Sequence, residues 1–339
     1  MSEVYFLKTD STSIDLNEDI EKIFEKFSNT IDPKDRVAIK MHFGERKNET
    51  HLNPNLIRPI YERVDENDEE TTLMDCTVLY KSERSIASTH LDVAKSNGFD
   101  FAPIEIADGE KGEKELREKI DLKHFNEVKL GEGLKDYNYL LSIAHFTGHD
   151  ASGVGGALKN IGMGLGSKSG KLEMHEAFNL EVNEEDCITC GTCVENCPEE
   201  AITLEANSAV IDREKCIGCG MCIAVCPEGA VVIPWDDSTA RNLQEKIVEY
   251  AYGALKDRKS HFVNVLFNIT PDCDCVNKKQ EPIVEDKGIL ISQDIVSIDQ
   301  ASIDLVGRKN LEFDLDPEIQ MEYAEEIGMG ERDYELIEI

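Results

Sequence analysis

The sequence predicts an α/β fold in which a mostly parallel sheet domain is interrupted by a short, cysteine-dense insert. Two observations support this prediction. Apolar strand-like segments alternate with segments of helical periodicity on both sides of the insert, and eight of the eleven cysteines fall between residues 187 and 226. Strands separated by helices usually form a parallel sheet with right-handed crossovers. We therefore expect sheet segments on both sides of the insert.

The first part of the chain, residues 1–182, alternates between helix and strand patterns. Proline at position 54 is typical of a first helical residue, and glycines at 44 and 98 mark the ends of a strand and a helix. A nearly all-apolar segment at 139–145 is typical of a buried parallel strand. The expected helices begin at 17, 53 and 89, and the expected strands cover 37–43, 71–74, 102–107 and 139–145.

The second part of the chain, residues 235–339, returns to the same alternation after the insert at 183–234. We expect helices over 240–255 and 295–306, strands over 262–267 and 289–291, and an acidic, helical C-terminal end around 323–336. In our interpretation, residues 183–234 interrupt one α/β domain whose chain resumes afterwards. Two separate α/β domains on either side of the insert are the alternative.

The insert contains two identical cysteine runs of the form C-x2-C-x2-C-x3-C-P. This run is typical of proteins that hold two [4Fe–4S] clusters, in which the fourth cysteine of each run binds the cluster of the other run. The motif predicts two ligand sets, which are Cys187, Cys190, Cys193 and Cys226 for one cluster, and Cys216, Cys219, Cys222 and Cys197 for the other. Zinc or disulfides would not explain two identical runs that each end in proline. We therefore expect a ferredoxin-like insert that carries single electrons.

A glycine-rich segment over 153–164 follows the buried strand at 139–145. It matches neither the dinucleotide-binding nor the phosphate-loop pattern. Its free backbone amides can surround an anion, and Lys159, Lys168 and Lys171 add positive charge in a very acidic chain. The alternative is a tight loop that packs against the insert. Ligands of open α/β sheets bind at the carboxyl ends of strands, so Lys159 is a candidate site residue.

Two further groups are candidate ligands for an additional metal. His145 and His149 follow the buried strand, and Cys273 and Cys275 form a C-x-C pair that can chelate a thiophilic metal or form a disulfide. Other candidates at expected strand ends are His42 with Glu45, Asp75 with Cys76, His90 and His175. We interpret His51, His124 and His261 as structural residues.

Several of these motifs together resemble a known family. They are K-x-H-F-G-E at 40–45, D-C-T-x-x-Y at 75–80, H-x-x-G-H at 145–149, G-G-A-x-K-N-x-G-M-G at 155–164, C-D-C at 273–275 and S-x-D-x-V-x-x-D at 292–299. The chain resembles the domain-of-unknown-function family 362, in the version with an inserted two-cluster ferredoxin, whose members come mainly from anaerobic bacteria and archaea. The resemblance implies that the polar motifs converge on one cleft, and supplies no reaction. It also implies carboxylates from Asp294 and Asp299 there, with helix capping as the alternative.

Composition limits the partners that we expect. The 36 basic and 69 acidic residues give a net charge of −33, which repels nucleic acids and anionic membrane surfaces. No segment approaches the roughly 20 apolar residues of a membrane-spanning helix, and the N-terminus lacks signal-peptide features. We expect a cytoplasmic protein whose partner is a redox protein or a small-molecule substrate.

Three functions fit these expectations. The first is an electron carrier, and the second is an assembly factor that holds a metal or cluster transiently. The third is a redox enzyme whose clusters deliver electrons to a cleft that contains His145, His149, Lys159, Cys273 and Cys275. A ferredoxin alone needs fewer than about a hundred residues, so the additional domain favours a site beyond electron relay. We expect that the protein transfers electrons and that it uses them in a redox reaction in the α/β domain.

Overall fold

A computed structural model of the chain describes residues 1–66, 71–175, 180–216, 218–232, 240–311 and 315–339. The strands in these ranges are β1 (Ser2–Leu7), β2 (Val37–Lys40), β3 (Thr72–Asp75), β4 (Ile104–Ile106), β5 (Glu115–Lys119), β6 (Glu127–Gly131), β7 (Tyr139–His145), β8 (Thr147–His149), β9 (Gly153–Gly155), β10 (Glu181–Val182), β11 (Ile202–Leu204), β12 (Ala209–Ile211), β13 (Val231–Val232), β14 (Lys259–Leu266), β15 (Gly288–Ser292) and β16 (Tyr334–Glu338).

The α-helices in the same ranges are α1 (Glu18–Glu25), α2 (Pro54–Asp65), α3 (Ala87–Ser96), α4 (Ala157–Leu165), α5 (Lys168–Met174), α6 (Thr192–Glu195), α7 (Met221–Val225), α8 (Ala240–Leu255), α9 (Ile295–Val306) and α10 (Ile319–Glu326). Within the described part of the chain, no helix is both long enough and apolar enough to cross a membrane.

Eight strands form the central sheet in the order β16-β1-β15-β14-β7-β2-β3-β4. Strand β15 runs antiparallel to both of its neighbours, and the other pairings are parallel. The predicted α/β fold with a mostly parallel sheet is therefore confirmed. Strands from before and after the cysteine-dense segment belong to this one sheet, while the exact domain bounds at 182 and 234 stay predictions, because residue 234 lies outside the described residues.

Two apolar layers cover the two faces of the sheet. Successive side chains of a strand point to opposite faces, and Leu140 of β7 accordingly packs in one apolar cluster while Tyr139 and Leu141 pack in the other. Helices α1 and α2 cover one face, and α4, α8 and α9 cover the other. Burial on both faces explains why all seven residues of β7 are buried.

The C-terminal end differs from its prediction. Helix α10 is present, but Tyr334–Glu338 forms strand β16, which pairs in parallel with β1 along the edge of the sheet. The glycine-rich segment is largely helical, because α4 begins at Ala157 and α5 follows at Lys168, so the alternative of a tight loop is wrong for these residues. In both places tertiary packing overrides local propensity: β1 offers an unpaired edge, and α4 packs closely against α8.

The cysteine-dense segment forms two small antiparallel pairs, β10 with β13 and β11 with β12, together with the short helices α6 and α7. Its apolar side chains form a third cluster around Cys193 and Cys222. Two leucines from the sheet domain, Leu79 and Leu172, belong to the same cluster. The segment is therefore packed directly onto the sheet domain.

Candidate functional site

A cavity of about 740 Å³ opens at the carboxyl ends of four neighbouring parallel strands, β3, β2, β7 and β14. Helix α4 and the first turns of α8 form its other walls. The ionisable side chains that line it are Lys40, His42, Asp75, Cys76, Tyr80, Arg84, His145, His149, Asp150, Lys159, Lys171, His175, Lys246, Cys273, Asp274 and Cys275. Parallel sheets bind ligands at this edge, and the candidates His145, His149, Lys159, Cys273 and Cys275 all lie there.

Arg84 organises one side of the cavity. Its guanidinium donates to Asp75 Oδ2 at 2.8 Å, to His90 Nε2 at 2.9 Å and to Glu45 Oε1 at 3.3 Å, and it lies 2.6 Å from His42 Nε2. Burial and the positive charge of Arg84 hold the pKa values of both His42 and His90 well below their usual range. Both histidines are therefore neutral, and His90 is the one that accepts from the guanidinium.

Lys40, the last residue of β2, is held from three directions. Its Nζ lies 3.2 Å from Asp75 Oδ1 and donates to Asn160 Oδ1 at 3.0 Å and to the Met41 carbonyl at 3.1 Å. Burial lowers the pKa of Lys40, while Asp75 opposes that shift. A Cβ at Gly164 would lie 2.5 Å from Lys40 Nζ, so only glycine at this position of α4 allows the ammonium group to approach.

Lys159 lies one residue before Asn160 on α4 and is half-buried at the cavity wall. Burial, opposed by the carboxylate of Asp150, lowers the pKa of Lys159 to about 8. Within the described ranges its ammonium group makes no hydrogen bond or ion pair with protein. Lys159 is therefore the basic side chain best placed to contact a bound molecule and to exchange a proton with it near neutral pH.

His145 anchors a loop rather than offering a free nitrogen. Its Nδ1 lies 2.9 Å from Asp274 Oδ2, and its Nε2 lies 2.8 Å from the Phe267 carbonyl oxygen. Burial lowers the pKa of His145, but the Asp274 carboxylate and these hydrogen bonds outweigh it, so that the pKa is raised. The charged imidazole thereby holds the loop that carries Cys273 and Cys275 against the end of β7.

His149, Cys273 and Cys275 come together at the rim of the same cavity. One ligand atom from each lies within 4.8 Å of the other two, and Cys273 and Cys275 form a disulfide. His149 Nδ1 accepts hydrogen bonds from the amides of Ala151 at 3.1 Å and Ser152 at 3.2 Å. The sequence placed His145 with His149 as possible co-ligands, but His145 does not belong to this group.

The eight cysteines of the insert line two further, smaller cavities. One is lined by Cys187, Cys190, Cys193 and Cys226, and the other by Cys197, Cys216, Cys219 and Cys222. These are the two sets of four into which the motif divides the cysteines. All eight are free thiols, in contrast to the Cys273–Cys275 pair.

The second cysteine cavity lies against the sheet domain. Cys222 packs in the same apolar cluster as Leu79, and Leu79 also lines the large cavity. A Cβ at Gly220 would lie 2.9 Å from Lys168 Cγ, so that α5 directly contacts the second cysteine run. Lys168 itself donates to the Ser85 carbonyl at 2.7 Å, and burial lowers its pKa to about 8. Helix α5 therefore contacts the second cysteine run and, through Lys171 and Met174, also lines the large cavity.

Other sequence predictions fall outside the cavity. Asp294 caps the start of α9 by accepting from the amides of Val296 and Ser297. Asp299 accepts from the amides of Ala157 and Leu158 at the start of α4. Neither carboxylate lines the cavity, so the expectation that they contribute there is wrong, since both are used by backbone amides.

Arg84 is the functional residue that the sequence analysis missed. It follows no motif, and its partners come from two other segments of the chain, His42 and Glu45 from 40–45 and Asp75 from the end of β3. Its high burial, with 1% of the side chain exposed, is visible only in the tertiary structure. The interpreted structural histidines do form internal hydrogen bonds, as His124 does with Glu245 and His261 with Tyr139.

The solved structures that align with this chain are only weakly similar to it. A protein from Thermotoga maritima of known crystal structure aligns with a TM-score of 0.44 and 9% identity, over 95% of this chain and 61% of that one. The apoprotein of lactate racemase from Thermoanaerobacterium thermosaccharolyticum aligns with a TM-score of 0.41 and 9% identity, over 78% of this chain and 50% of that one. This chain thus spans less than two thirds of either protein, and no curated protein matches it. The model of a domain of unknown function, DUF362, matches residues 37–304, and the chain therefore belongs to that family.

Proposed function

We propose that this protein is an iron–sulfur protein that transfers single electrons to a small anionic molecule bound in the 740 Å³ cavity. The observation that carries the proposal is the division of eight free cysteines into two sets of four around two small cavities. Helix α5 contacts the second cysteine run and lines the large cavity. We also propose that the protein is cytoplasmic and that it receives the electrons from a redox protein.

The residues of the insert fit two [4Fe–4S] clusters better than zinc. Four sulfurs around one zinc ion lie about 3.8 Å apart, whereas within the described part of the chain no three of the eight insert sulfurs lie within 4.8 Å of one another. Backbone amides of Ala201 and Ala230 donate to Cys197 Sγ and Cys226 Sγ at 3.2 Å, as is usual for cluster ligands. When bound, such clusters accept and release single electrons.

The charge of the large cavity favours an anion. Its described lining carries five basic side chains and three carboxylates, in a chain whose acidic residues outnumber the basic ones 69 to 36. The five basic residues are Lys40, Arg84, Lys159, Lys171 and Lys246. Low-dielectric walls strengthen attraction to such a cluster. Lys40 and Arg84 are held by Asp75, so they orient a ligand, and Lys159 contacts it.

Lys159 also has the chemistry to act as a general acid. An anion that gains an electron becomes more basic and takes up a proton. With a pKa of about 8, Lys159 is protonated at neutral pH and gives up its proton more readily than an exposed lysine. Its ammonium proton would pass to the ligand, and solvent at the mouth of the cavity would restore it.

A second candidate function is metallocofactor or iron–sulfur assembly. It is favoured by the group of His149, Cys273 and Cys275, which can hold a metal transiently at the rim of the same cavity. In that case the cavity would receive a metal-containing ligand instead of a small anion. Both functions require iron–sulfur clusters on the two cysteine sets, so the first experiment tests whether the sets bind them.

The experiment compares two double variants after anaerobic reconstitution. Cys197→Ser/Cys216→Ser removes two sulfurs of one predicted set, and Cys187→Ser/Cys197→Ser removes two sulfurs of the same sequence run but of different sets. Wild type should bind about eight iron and eight sulfide per chain. The same-set variant should keep about four iron and one intact reduced [4Fe–4S] signal by electron paramagnetic resonance, and the different-set variant should keep no intact signal.

Cys76→Ala is the matched control, because Cys76 is a buried free thiol outside both sets. It should retain about eight iron. If wild type binds far fewer iron atoms under faithful anaerobic handling, the proposed function is wrong. If both double variants lose both signals alike, the division into the two sets is wrong.

A further inference from the structure

We propose that His149, Cys273 and Cys275 form a binding site for a thiophilic divalent cation such as zinc, which is open when the two cysteines are reduced and closed when they form their disulfide. The three ligand atoms lie within 4.8 Å of one another at the rim of the large cavity. No other triad of histidine, cysteine and acidic residues in the described ranges meets that criterion. The inference does not depend on whether the insert carries clusters.

The donor set matches the preferred chemistry of such a cation. Two thiolates and one imidazole are soft or borderline ligands, and three protein ligands with a fourth position open to a cavity are typical of catalytic zinc sites. The three ligand residues all line the large cavity. A cation held there would leave its fourth position accessible to a molecule in the cavity, beside Lys159.

The site is preorganised by hydrogen bonds that do not involve the ligand atoms. The Cys273 carbonyl accepts from the Val276 amide at 3.1 Å and from Gln280 Nε2 at 3.3 Å, which fixes the C-x-C loop. The amide of Gly148 donates to the Thr270 carbonyl at 2.9 Å, which ties the strand of His149 to that loop. Hydrogen bonds that hold the backbone around the ligands in this way lower the cost of assembling a metal site.

His149 needs one adjustment to become a ligand. Its Nδ1 accepts hydrogen bonds from two amides and therefore carries no proton. A metal that binds Nε2 requires the ring proton to lie on Nδ1 instead, in place of those two hydrogen bonds. Asp150 Oδ1 lies 3.3 Å from Nδ1 and is positioned to accept that proton in a hydrogen bond. A carboxylate partner on the second nitrogen is the usual arrangement for a metal-bound histidine, and we assign that positioning role to Asp150.

The switch between the two forms is a balanced two-electron reaction. Reduction adds two electrons and two protons to the Cys273–Cys275 disulfide, which breaks the S–S bond and leaves two thiols. Metal binding then displaces the two thiol protons. With a phosphine as reductant, the phosphine is oxidised to its oxide by the oxygen of one water molecule, and that water supplies the two protons. In the reverse direction, exchange with a small-molecule disulfide reforms the Cys273–Cys275 bond and removes both sulfur ligands, while the small disulfide takes up the two electrons and leaves as two thiolates.

The test measures zinc bound per chain after anaerobic equilibrium dialysis, on iron-loaded full-length protein treated with a phosphine or left oxidised. Iron is measured in the same samples, so that zinc in an unfilled cluster cavity is recognised. The reduced wild type should bind one more zinc than the oxidised wild type. Cys273→Ser/Cys275→Ser and His149→Gln should lose that zinc, and Cys76→Ala, which alters another thiol at the cavity, should keep it.

Asp150→Asn tests whether Asp150 positions His149 for metal binding. The variant should still bind the one additional zinc, but about 10- to 100-fold more weakly, as happens when the carboxylate that holds a metal-bound histidine is lost. Equal zinc in oxidised and reduced wild type would overturn the inference without any variant. The additional zinc persisting in Cys273→Ser/Cys275→Ser would also overturn it. A low iron content with the zinc difference intact would instead count against the proposed clusters alone.

Discussion

Replacing Arg84 with methionine tests whether the buried guanidinium holds one wall of the cavity together. Arg84 has 1% of its side chain exposed, and its carboxylate partners Asp75 and Glu45 have 3% and 2% exposed. Without Arg84, Asp75 retains Lys40 at 3.2 Å, but Glu45 retains only the hydroxyls of Tyr80 and Ser82. Removing one partner of a buried ion pair leaves an uncompensated charge and costs about 3–5 kcal/mol.

That cost converts into a shift of the melting temperature. The entropy of unfolding is about 2.1 cal/mol/K per residue, or about 0.7 kcal/mol/K for 339 residues. Arg84→Met should therefore lower Tm by about 4–7 °C, measured anaerobically by far-ultraviolet circular dichroism at one scan rate.

Arg46→Met is the matched control for this prediction. Arg46 also makes two 2.8 Å hydrogen bonds to one carboxylate, Glu83, but the two side chains are 40% and 49% exposed. Exposed ion pairs contribute about 0–1 kcal/mol, so the control should change Tm by less than about 1.5 °C. If Arg84→Met is no more destabilising than Arg46→Met, then the buried network does not stabilise the wall as we argue.

Two further predictions concern the cavity and its main helix. Lysine is cationic below its pKa and neutral above it, so Lys159, with a pKa of about 8, loses its charge between pH 7 and pH 9. Sulfate stays dianionic over this range and should therefore bind the cavity about fivefold more weakly at pH 9 than at pH 7. Titration calorimetry should find a flatter pH dependence in Lys159→Met, and an unchanged dependence would contradict the assignment. Gly162→Ala would place a Cβ 2.1 Å from the Ile247 carbonyl oxygen, which forces α4 and α8 apart. Overpacking of this kind costs about 1–3 kcal/mol, so a raised Tm would contradict the close helix contact.

Much of the fold follows from local patterns along the chain. Helices α8 and α9 occupy the residues that their periodicity predicts, and the all-apolar segment at 139–145 is the buried strand β7. Periodicity reports which face of an element is buried, and in these segments the pattern is long or strongly apolar. The end of the chain, where Tyr334–Glu338 pairs with β1, has no comparable pattern because an edge strand is exposed on one side.

The candidate site divides in the same way between local and long-range information. Spacing within the two cysteine runs is sufficient to predict two sets of four, which line separate cavities, because in runs of this kind the first three cysteines stay together and the fourth joins the other set. The sequence placed His145, His149, Cys273 and Cys275 in one cleft, but it could not tell that only His149 approaches the two cysteines, because β14 and β7 must first pair side by side before their following loops meet. For the same reason His145, which looked like a ligand, is an anchor for Asp274.

Short-range spacing along the chain is enough to predict the alternation of strands and helices and the two cysteine sets, and it carries the motifs of the family. Which side chains share the cavity depends instead on how distant segments pack together. Arg84, Asp75 and Glu45 become one buried network because the ends of β2 and β3 lie side by side. Burial also lowers the pKa of Lys159, and burial is a property of the folded chain, not of any one segment.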